Sequence, residues 1–279
     1  LEGIKRQFGV VGWPLDYTLS PAMHNAALSR FAIPAVYRAV RVSPEAWPEW
    51  ARQVTSPAGE PSLDGFNVTV PHKEKALVLA SSVGSRAALC GAANTLVRTA
   101  DGWRAENTDV PGLAEDLMAH GMGWKDKTVL LAGAGGAARS ALLAVAAGTG
   151  RAKRVVLVNR SRERAERLVK EFQSRPEFSD LVVGPDTAEA VSSADLIINA
   201  TSLGLKPDDP APVPLDRLRS RMAVYDMVYH RETPLLRAAR SAGALSAGGI
   251  GMLVNQGALA FELWFQKDLK KVNYTILEF

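Results

Sequence analysis

Apolar residues fall into short blocks along this chain, and the blocks have two rhythms. FGVVGW (8–13), AVYRAVRV (35–42) and LDGFNVTV (63–70) are β-branched or aromatic runs with partial alternation, the pattern of strands. Between and after them, PAMHNAALSRF (21–31), PEAWPEWARQV (44–54, despite Pro48) and HKEKALVLA (72–80) carry the wider spacing of helices. Strand–helix–strand spacing of this kind favours parallel pairing with helices covering the sheet. Residues 128–247 repeat the rhythm more sharply. TVLLAG, RVVLVN, ADLIINA and MAVYDMV are almost wholly apolar, as strands buried on both faces are. AARSALLAVAAG and RERAERLVKEF read as helices among them. The pattern predicts an α/β protein of two domains, an N-terminal α/β domain over 1–110 and a doubly wound domain over 111–248. A last apolar helix, MLVNQGALAFELWF (252–265), lies in the 249–279 segment, which is expected to complete the N-terminal domain.

Composition narrows what such a protein does. A chain of 279 residues, 47% hydrophobic and 22% charged, has the length for two domains and an ordinary globular make-up. Lys and Arg number 33 against 29 Asp and Glu, and a net charge of +4 is too weak to imply nucleic acid. The arginines do crowd into RAKRVVLVNRSRERAERLVK (151–170), which keeps a local anion site open. The single cysteine, Cys90, excludes an intrachain disulfide and fits a reducing compartment. No apolar run approaches a membrane span and LEGIKRQFGV has no leader character, so a cytoplasmic protein is expected. The four histidines and one cysteine show no metal-ligand spacing, and no metal is expected.

The sharpest chemical signal is LLAGAGGAARSALL (130–143), a glycine turn between a strand and a helix. Gly133 permits the tight turn, Gly135 lets backbone approach a pyrophosphate, and Ala138 keeps strand and helix close. The loop Gly133, Ala134, Gly135, Gly136 and Ala137 therefore reads as a cofactor cradle opening onto a helix N-terminus. The next strand ends in VNRSRERA, without the acidic residue that usually binds the ribose hydroxyls of NAD. Asn159, Arg160 and Ser161 offer donors there, and Arg164 lies one helical turn along. Together they favour the 2′-phosphate of NADP over a merely solvated basic helix start paired with Glu163 and Glu166. This makes the second domain one of Rossmann type.

NVTVPHKE (67–74) is open to two readings from its residues alone. Pro71 suits a first helical turn, with Lys73 and Glu74 facing water. Alternatively, the strand delivers Lys73 to a site.

These segments, with YTLSPAMHNAAL, GAANTLV, ENTDVPGL, DLIINATSLGL, YHRETPLL and GIGMLVNQGALAFELW, together resemble the shikimate dehydrogenase family over nearly the whole chain. The resemblance implies a substrate domain closed by C-terminal helices and an NADP-binding Rossmann domain between. It implies NADPH-dependent reduction of 3-dehydroshikimate to shikimate, on the way to aromatic amino acids. The family's proton-transferring lysine matches Lys73 and its neighbouring aspartate Asp109. The hydroxyls that hold the substrate carboxylate match Thr18 and Ser20, and further substrate contacts fall on Asn67, Thr69, Asn94, Tyr229 and Gln256. Thr201, in the INATSLGL segment, joins the implied cofactor contacts. The expected partner is this small molecule, with no nucleic acid or membrane, and the chain acts as a monomer or homodimer. The departure is Thr18, where biosynthetic members usually carry serine. It keeps a catabolic quinate/shikimate dehydrogenase as the alternative, with a non-catalytic ligand-binding paralogue behind it.

The implied chemistry fits the residue types. A densely hydroxylated ring needs many short donors and acceptors, because each unpaired hydroxyl would be left desolvated. Thr18, Ser20, Asn67, Thr69, Asn94 and Gln256 are of that kind. Among proton donors, His24, His72, His120 and His230 lack an obvious orienting partner in sequence. A cationic lysine both donates a proton and stabilises a developing alkoxide.

Overall fold

The computed structural model describes residues 6–56, 62–146, 150–184 and 187–266. They fall into two compact units, one drawn from Leu1–Thr108 and Val254–Phe279, the other from Asp109–Leu253. The end of the AARSALLAVAAG pattern and the last part of the 249–279 segment lie outside the described residues.

In the first unit the chain runs β1 (Arg6–Gly12), α1 (Ser20–Arg30), β2 (Ala35–Arg41), α2 (Trp47–Thr55) and β3 (Gly65–Val68). It continues through β4 (Ser82–Val83), α3 (Ser85–Cys90), β5 (Thr95–Thr99) and β6 (Gly102–Glu106). The sheet order is β2-β1-β3-β5-β6-β4. The expected parallel pairing holds for β1 with β2 and β3, but β5 runs antiparallel to both β3 and β6. The link between β5 and β6 is too short for a crossover and turns back into Gly102, whose φ of +124° suits glycine. Pro48 causes no break because α2 begins at Trp47, which places the proline in the first turn.

A second difference falls on HKEKALVLA, expected as a helix. Only Lys75–Leu79 are helical, and as a 3-10 turn. An α-helix would use the Lys73 carbonyl for the amide four residues on, but that carbonyl instead accepts from the Ala93 amide at 2.8 Å. His72 is also fixed from elsewhere: its ring stacks on Trp47 at 4.2 Å and Nε2 lies 2.7 Å from the Val42 carbonyl oxygen. Pro71 sits in a turn, its peptide with Val70 cis, rather than at a helix start.

Alternation along the strands divides this unit's core in two. Val11, Phe66, Val68 and Leu96 join Trp47, Trp50 and Trp103 on one face. Phe8 and Val10 point the other way, onto Leu28 of α1 and onto Phe261 and Trp264 of the returning helix Ile250–Phe265. Asn67, between Phe66 and Val68, faces this second side, where it meets Tyr37. Trp264 donates from Nε1 to the Leu96 carbonyl at 3.0 Å and leaves no room for a side chain at Gly65, where a Cβ would approach Nε1 to 2.5 Å.

The second unit begins with α4 (Asp109–Ala119), β7 (Thr128–Ala132), α5 (Gly136–Ala146), β8 (Arg154–Val158), α6 (Arg162–Gln173) and β9 (Leu181–Val183). After α7 (Thr187–Ser193) come β10 (Leu196–Asn199), β11 (Ala223–Asp226), α8 (Pro234–Ser241) and β12 (Leu245–Gly248), and the helix Ile250–Phe265 is α9. Its sheet is parallel throughout, ordered β12-β11-β10-β7-β8-β9. This is the doubly wound order, with its switch point between β7 and β10.

His24 of α1 carries a testable consequence of this packing. It is 2% exposed, stacked on Tyr37 at 4.2 Å and flanked by Trp264. Burial pulls its pKa from the ordinary 6.5 down to about 3, with the neighbouring Asn67 amide working weakly the other way. Below pH 6.5 the unfolded chain takes up a proton that the folded chain refuses. Stability is therefore complete above about 6.5 and lost as pH falls toward 3, by about 1.4 kcal/mol per pH unit. Urea melts between pH 7.5 and 4.5 should show this slope, and His24→Gln should remove it. Equal slopes in the two proteins would mean that the ring titrates while folded.

Candidate active site

In the first unit three of the expected substrate residues, Asn67, Asn94 and Gln256, join one polar cluster. Asn67 donates from Nδ2 to the Asn94 carbonyl and to Thr95 Oγ1, both at 3.1 Å, while its Oδ1 accepts from the Tyr37 hydroxyl at 2.7 Å. Asn94 Oδ1 accepts from the Thr108 amide at 2.8 Å and from Thr95 Oγ1 at 3.1 Å. Its Nδ2 donates to Thr108 Oγ1 at 2.9 Å and to Gln256 Oε1 at 3.1 Å. Asn67, Asn94 and Gln256 are thus brought together, with residues that sequence reasoning missed. Tyr37, Thr95 and Thr108 are all buried, and their signal was only that the last two lie inside or beside the GAANTLV and ENTD segments.

Thr18 and Ser20 meet at the start of α1, where Thr18 Oγ1 accepts from the Ser20 amide at 3.4 Å. Thr69 follows β3 directly, its amide bonded to the Val11 carbonyl at 2.8 Å. Its methyl lies so close to Gly12 that a Cβ there would come within 2.4 Å. Lys73 is half-buried, and the bond from Ala93 to its carbonyl roots it one residue from Asn94. Asp109, 3% exposed, opens α4 directly after Thr108.

In the second unit the glycine turn takes the expected form. Gly133 has φ +117°, and a Cβ on it would meet the Ala200 carbonyl oxygen at 2.9 Å. A Cβ on Gly135 would meet nothing within 4 Å, so the loop presents bare backbone to open space beside the N-terminus of α5. That is the opening a pyrophosphate requires. Ala138 is fully buried, as close strand–helix contact demands. At the end of β8, Asn159 donates to the Ser161 carbonyl at 2.9 Å, and Ser161 caps α6 by accepting from the Arg164 amide at 3.4 Å. Arg162 is taken by Glu166 at 2.8 Å, whereas Arg160 and Arg164 are exposed and have no acidic partner among the described residues. Those two guanidinium groups remain available to a phosphate.

Two buried residues hold the far side of this site. Asn199 Oδ1 accepts from the Thr201 amide at 3.0 Å and from its hydroxyl at 2.7 Å. Asn199 Nδ2 donates to Asp226 Oδ1 at 2.9 Å. Burial pushes the Asp226 carboxyl above the usual range, against the donors that surround it. Tyr229 follows shortly after, its ring edge-on to His230. Arg139 and Glu171 join α5 to α6 through a paired bridge at 2.6 and 2.7 Å, and that bond holds the Glu171 carboxyl below its ordinary value.

Among the described residues no cluster of His, Cys, Asp or Glu could hold a metal ion, and no helix is long and apolar enough to cross a membrane. Cys90 is buried at the end of α3.

A doubly wound parallel sheet with a bare glycine cradle at its switch point, and a separate unit lined with buried amides and hydroxyls, define a dinucleotide-dependent oxidoreductase of small polar substrates. Residues 10–96 match the shikimate dehydrogenase substrate binding domain, 113–205 the shikimate / quinate 5-dehydrogenase family, and 249–270 the shikimate 5'-dehydrogenase C-terminal domain. The chain belongs to the shikimate dehydrogenase family. It is 38% identical to the shikimate dehydrogenase (NADP(+)) of Methanosarcina mazei, over 99% of both chains. It is also similar to the crystal structure of shikimate dehydrogenase from Aquifex aeolicus, with TM-score 0.85 and 32% identity over 98% of this chain and 96% of that one. A third relative is shikimate 5-dehydrogenase from Thermus thermophilus, solved in complex with NADP(H) and shikimate. It has TM-score 0.79 and 35% identity over 94% of each chain.

If Arg160 grips the 2′-phosphate, Arg160→Ala should weaken NADP⁺ binding by about 1.5–3 kcal/mol, the worth of a charged hydrogen bond, and leave NAD⁺ nearly unchanged. Titration calorimetry with both cofactors checks it. Equal weakening of the two would remove Arg160 from that role.

Proposed function

We propose that this chain catalyses the reversible NADPH-dependent reduction of 3-dehydroshikimate to shikimate in aromatic amino-acid biosynthesis, as a cytoplasmic monomer or homodimer. The first unit takes the substrate and the second the cofactor. The observation that carries the reading is the buried cluster of Asn67, Asn94 and Gln256, uncharged donors and acceptors beside the backbone of Lys73. Such a set suits a hydroxylated ring better than a phosphorylated one.

Within it, Thr18 and Ser20 hold the carboxylate, helped by the α1 N-terminus. Asn67, Thr69, Asn94, Tyr229 and Gln256 orient the ring hydroxyls. Gly133–Ala137 cradle the pyrophosphate, Asn159, Arg160, Ser161 and Arg164 take the adenosine phosphate end, and Thr201 completes the cofactor site. NADPH, when bound, supplies the hydride. Reduction leaves negative charge on the carbonyl oxygen, and the Lys73 ammonium both stabilises that charge and gives the oxygen its proton. Asp109 orients the ammonium and balances its charge.

Lys73→Ala should lower kcat by about 10²–10⁴, the range for general acid–base groups, with much less change in substrate KM. Lys73→Arg should not restore it, since guanidinium holds its proton. A folded Lys73→Ala enzyme that keeps kcat within about tenfold would take Lys73 out of the mechanism. Initial rates with shikimate and with quinate, each with NADP⁺ and NAD⁺, test the substrate. Quinate's extra hydroxyl sits on the carboxylate-bearing carbon, where the Thr18 methyl should crowd it, so shikimate should be preferred and Thr18→Ser should narrow the gap. Equal or better efficiency with quinate would reverse the assignment.

A further inference from the structure

Beyond that reading, but resting on it for the roles of Thr201 and Tyr229, the two loops that carry these residues share one buried anchor. Thr201 follows β10 and Tyr229 follows β11. Between the two strand ends lies Asp226, fully buried, with each oxygen engaged. Oδ1 accepts from Asn199 Nδ2 at 2.9 Å and from the Val228 amide at 3.1 Å, and Oδ2 accepts from the Thr233 hydroxyl at 2.7 Å. Asn199 in turn binds both the amide and the hydroxyl of Thr201 and donates to the Leu203 carbonyl at 3.1 Å. Val228 is the residue before Tyr229, so the same carboxylate reaches one loop through Asn199 and the other through Val228 and Thr233.

The loops also brace each other directly. His230 Nε2 lies 3.0 Å from the Leu205 carbonyl oxygen. Gly204, at φ +100°, packs so closely that a Cβ on it would come within 2.9 Å of the Thr233 methyl. Burying a carboxylate is costly, and an apolar residue of similar volume usually serves stability as well or better. What an apolar residue cannot do is fix a backbone amide, a side-chain amide and a hydroxyl at once. We propose that Asp226 is a positioning residue that locks the Thr201 loop to the Tyr229 loop, so that cofactor and substrate contacts are set together by one group.

The test measures NADPH affinity by fluorescence titration and the shikimate KM by initial rates, in Asp226→Ala, Asp226→Asn and a control. The control, Val191→Ala, removes core volume in the same unit from α7, which carries neither loop. Asp226→Ala should weaken NADPH binding and raise the shikimate KM each by about tenfold or more, as loss of a buried charged hydrogen-bond acceptor does. Asp226→Asn, which keeps one acceptor oxygen, should give about a threefold change in both. Val191→Ala should lower the melting temperature and the yield of active enzyme while leaving both constants at wild type, the outcome expected of a purely structural role. A folded Asp226→Ala protein with both constants unchanged, or only one changed, overturns the proposal. Should Asp226→Ala fail to fold, Asp226→Asn decides, and wild-type values for it are equally fatal. If the wild type binds NADPH but does not turn over shikimate, the functional reading has failed. The NADPH series then judges the anchor alone, and wild-type affinity in the variants overturns it.

Discussion

A buried carboxamide presents two donors and an acceptor oxygen with two lone pairs, and leaving any of them empty out of water costs about 1–3 kcal/mol. Asn94, 2% exposed, meets that demand with groups from distant parts of the chain. It binds Thr95 beside it, Thr108 at the end of the first unit's continuous segment, and Gln256 on the returning helix. Those bonds draw the polar residues of the first unit into one buried network. The returning helix that carries Gln256 is seated on the sheet by Phe261 and Trp264, and the bond to Asn94 links its polar face to the same cluster as Asn67. Asn199 plays the same part in the second unit, drawing Thr201 and Asp226 onto a single amide. In both units the polar interior is a set of closed hydrogen-bond networks rather than a scatter of reactive groups.

Much of this is legible in the chain itself, for reasons that differ by element. The strands β7, β8, β10 and β11 stand out because both faces are covered, which erases polar residues and leaves near-continuous β-branched runs. The glycine turn is readable because the positive φ at Gly133, with the Ala200 carbonyl packed against it, admits little but glycine. At β3, the alternation of Phe66, Asn67 and Val68 announces a polar residue directed to one face, although the face itself is not readable. Arg160 and Arg164 are legible as a basic strand end without a carboxylate at its tip, and they remain without acidic partners among the described residues.

What is hidden depends on partners far along the chain. The turn at 70–79 looks helical because local propensity knows nothing of Ala93, whose amide takes the Lys73 carbonyl, or of Trp47, which takes the His72 ring. β4, β9 and β12 are two to four residues long, too short for any period to show. The antiparallel β5 and β6 carry mixed polar faces, TLVRT and GWRAE, and their partner strand is set by a tight turn rather than by hydrophobicity. Asp226 reads in sequence as one acidic residue in an apolar run. Its role emerges only when Asn199, Val228 and Thr233 arrive around it.

The proposed mechanism assigns the proton to a lysine, and the surroundings of the histidines support that choice. A donor at neutral pH must hold a proton that the site can release, and imidazole is the usual choice because its ordinary pKa lies close to that pH. Here burial removes two candidates. His24 is driven down to about 3 among Tyr37 and Trp264, and burial likewise lowers His72 despite its bond to the Val42 carbonyl. His230 is tied to a loop carbonyl in the second unit, and the half-exposed His120 lies 3.5 Å from Asp116. Lysine escapes this constraint, since its ordinary pKa stands several units above neutrality. The neutral rings then gain a different value. His72, clamped between Trp47 and Val42, fixes the backbone immediately before Lys73 without adding a competing charge. A buried imidazole thus anchors the backbone from which Lys73 extends.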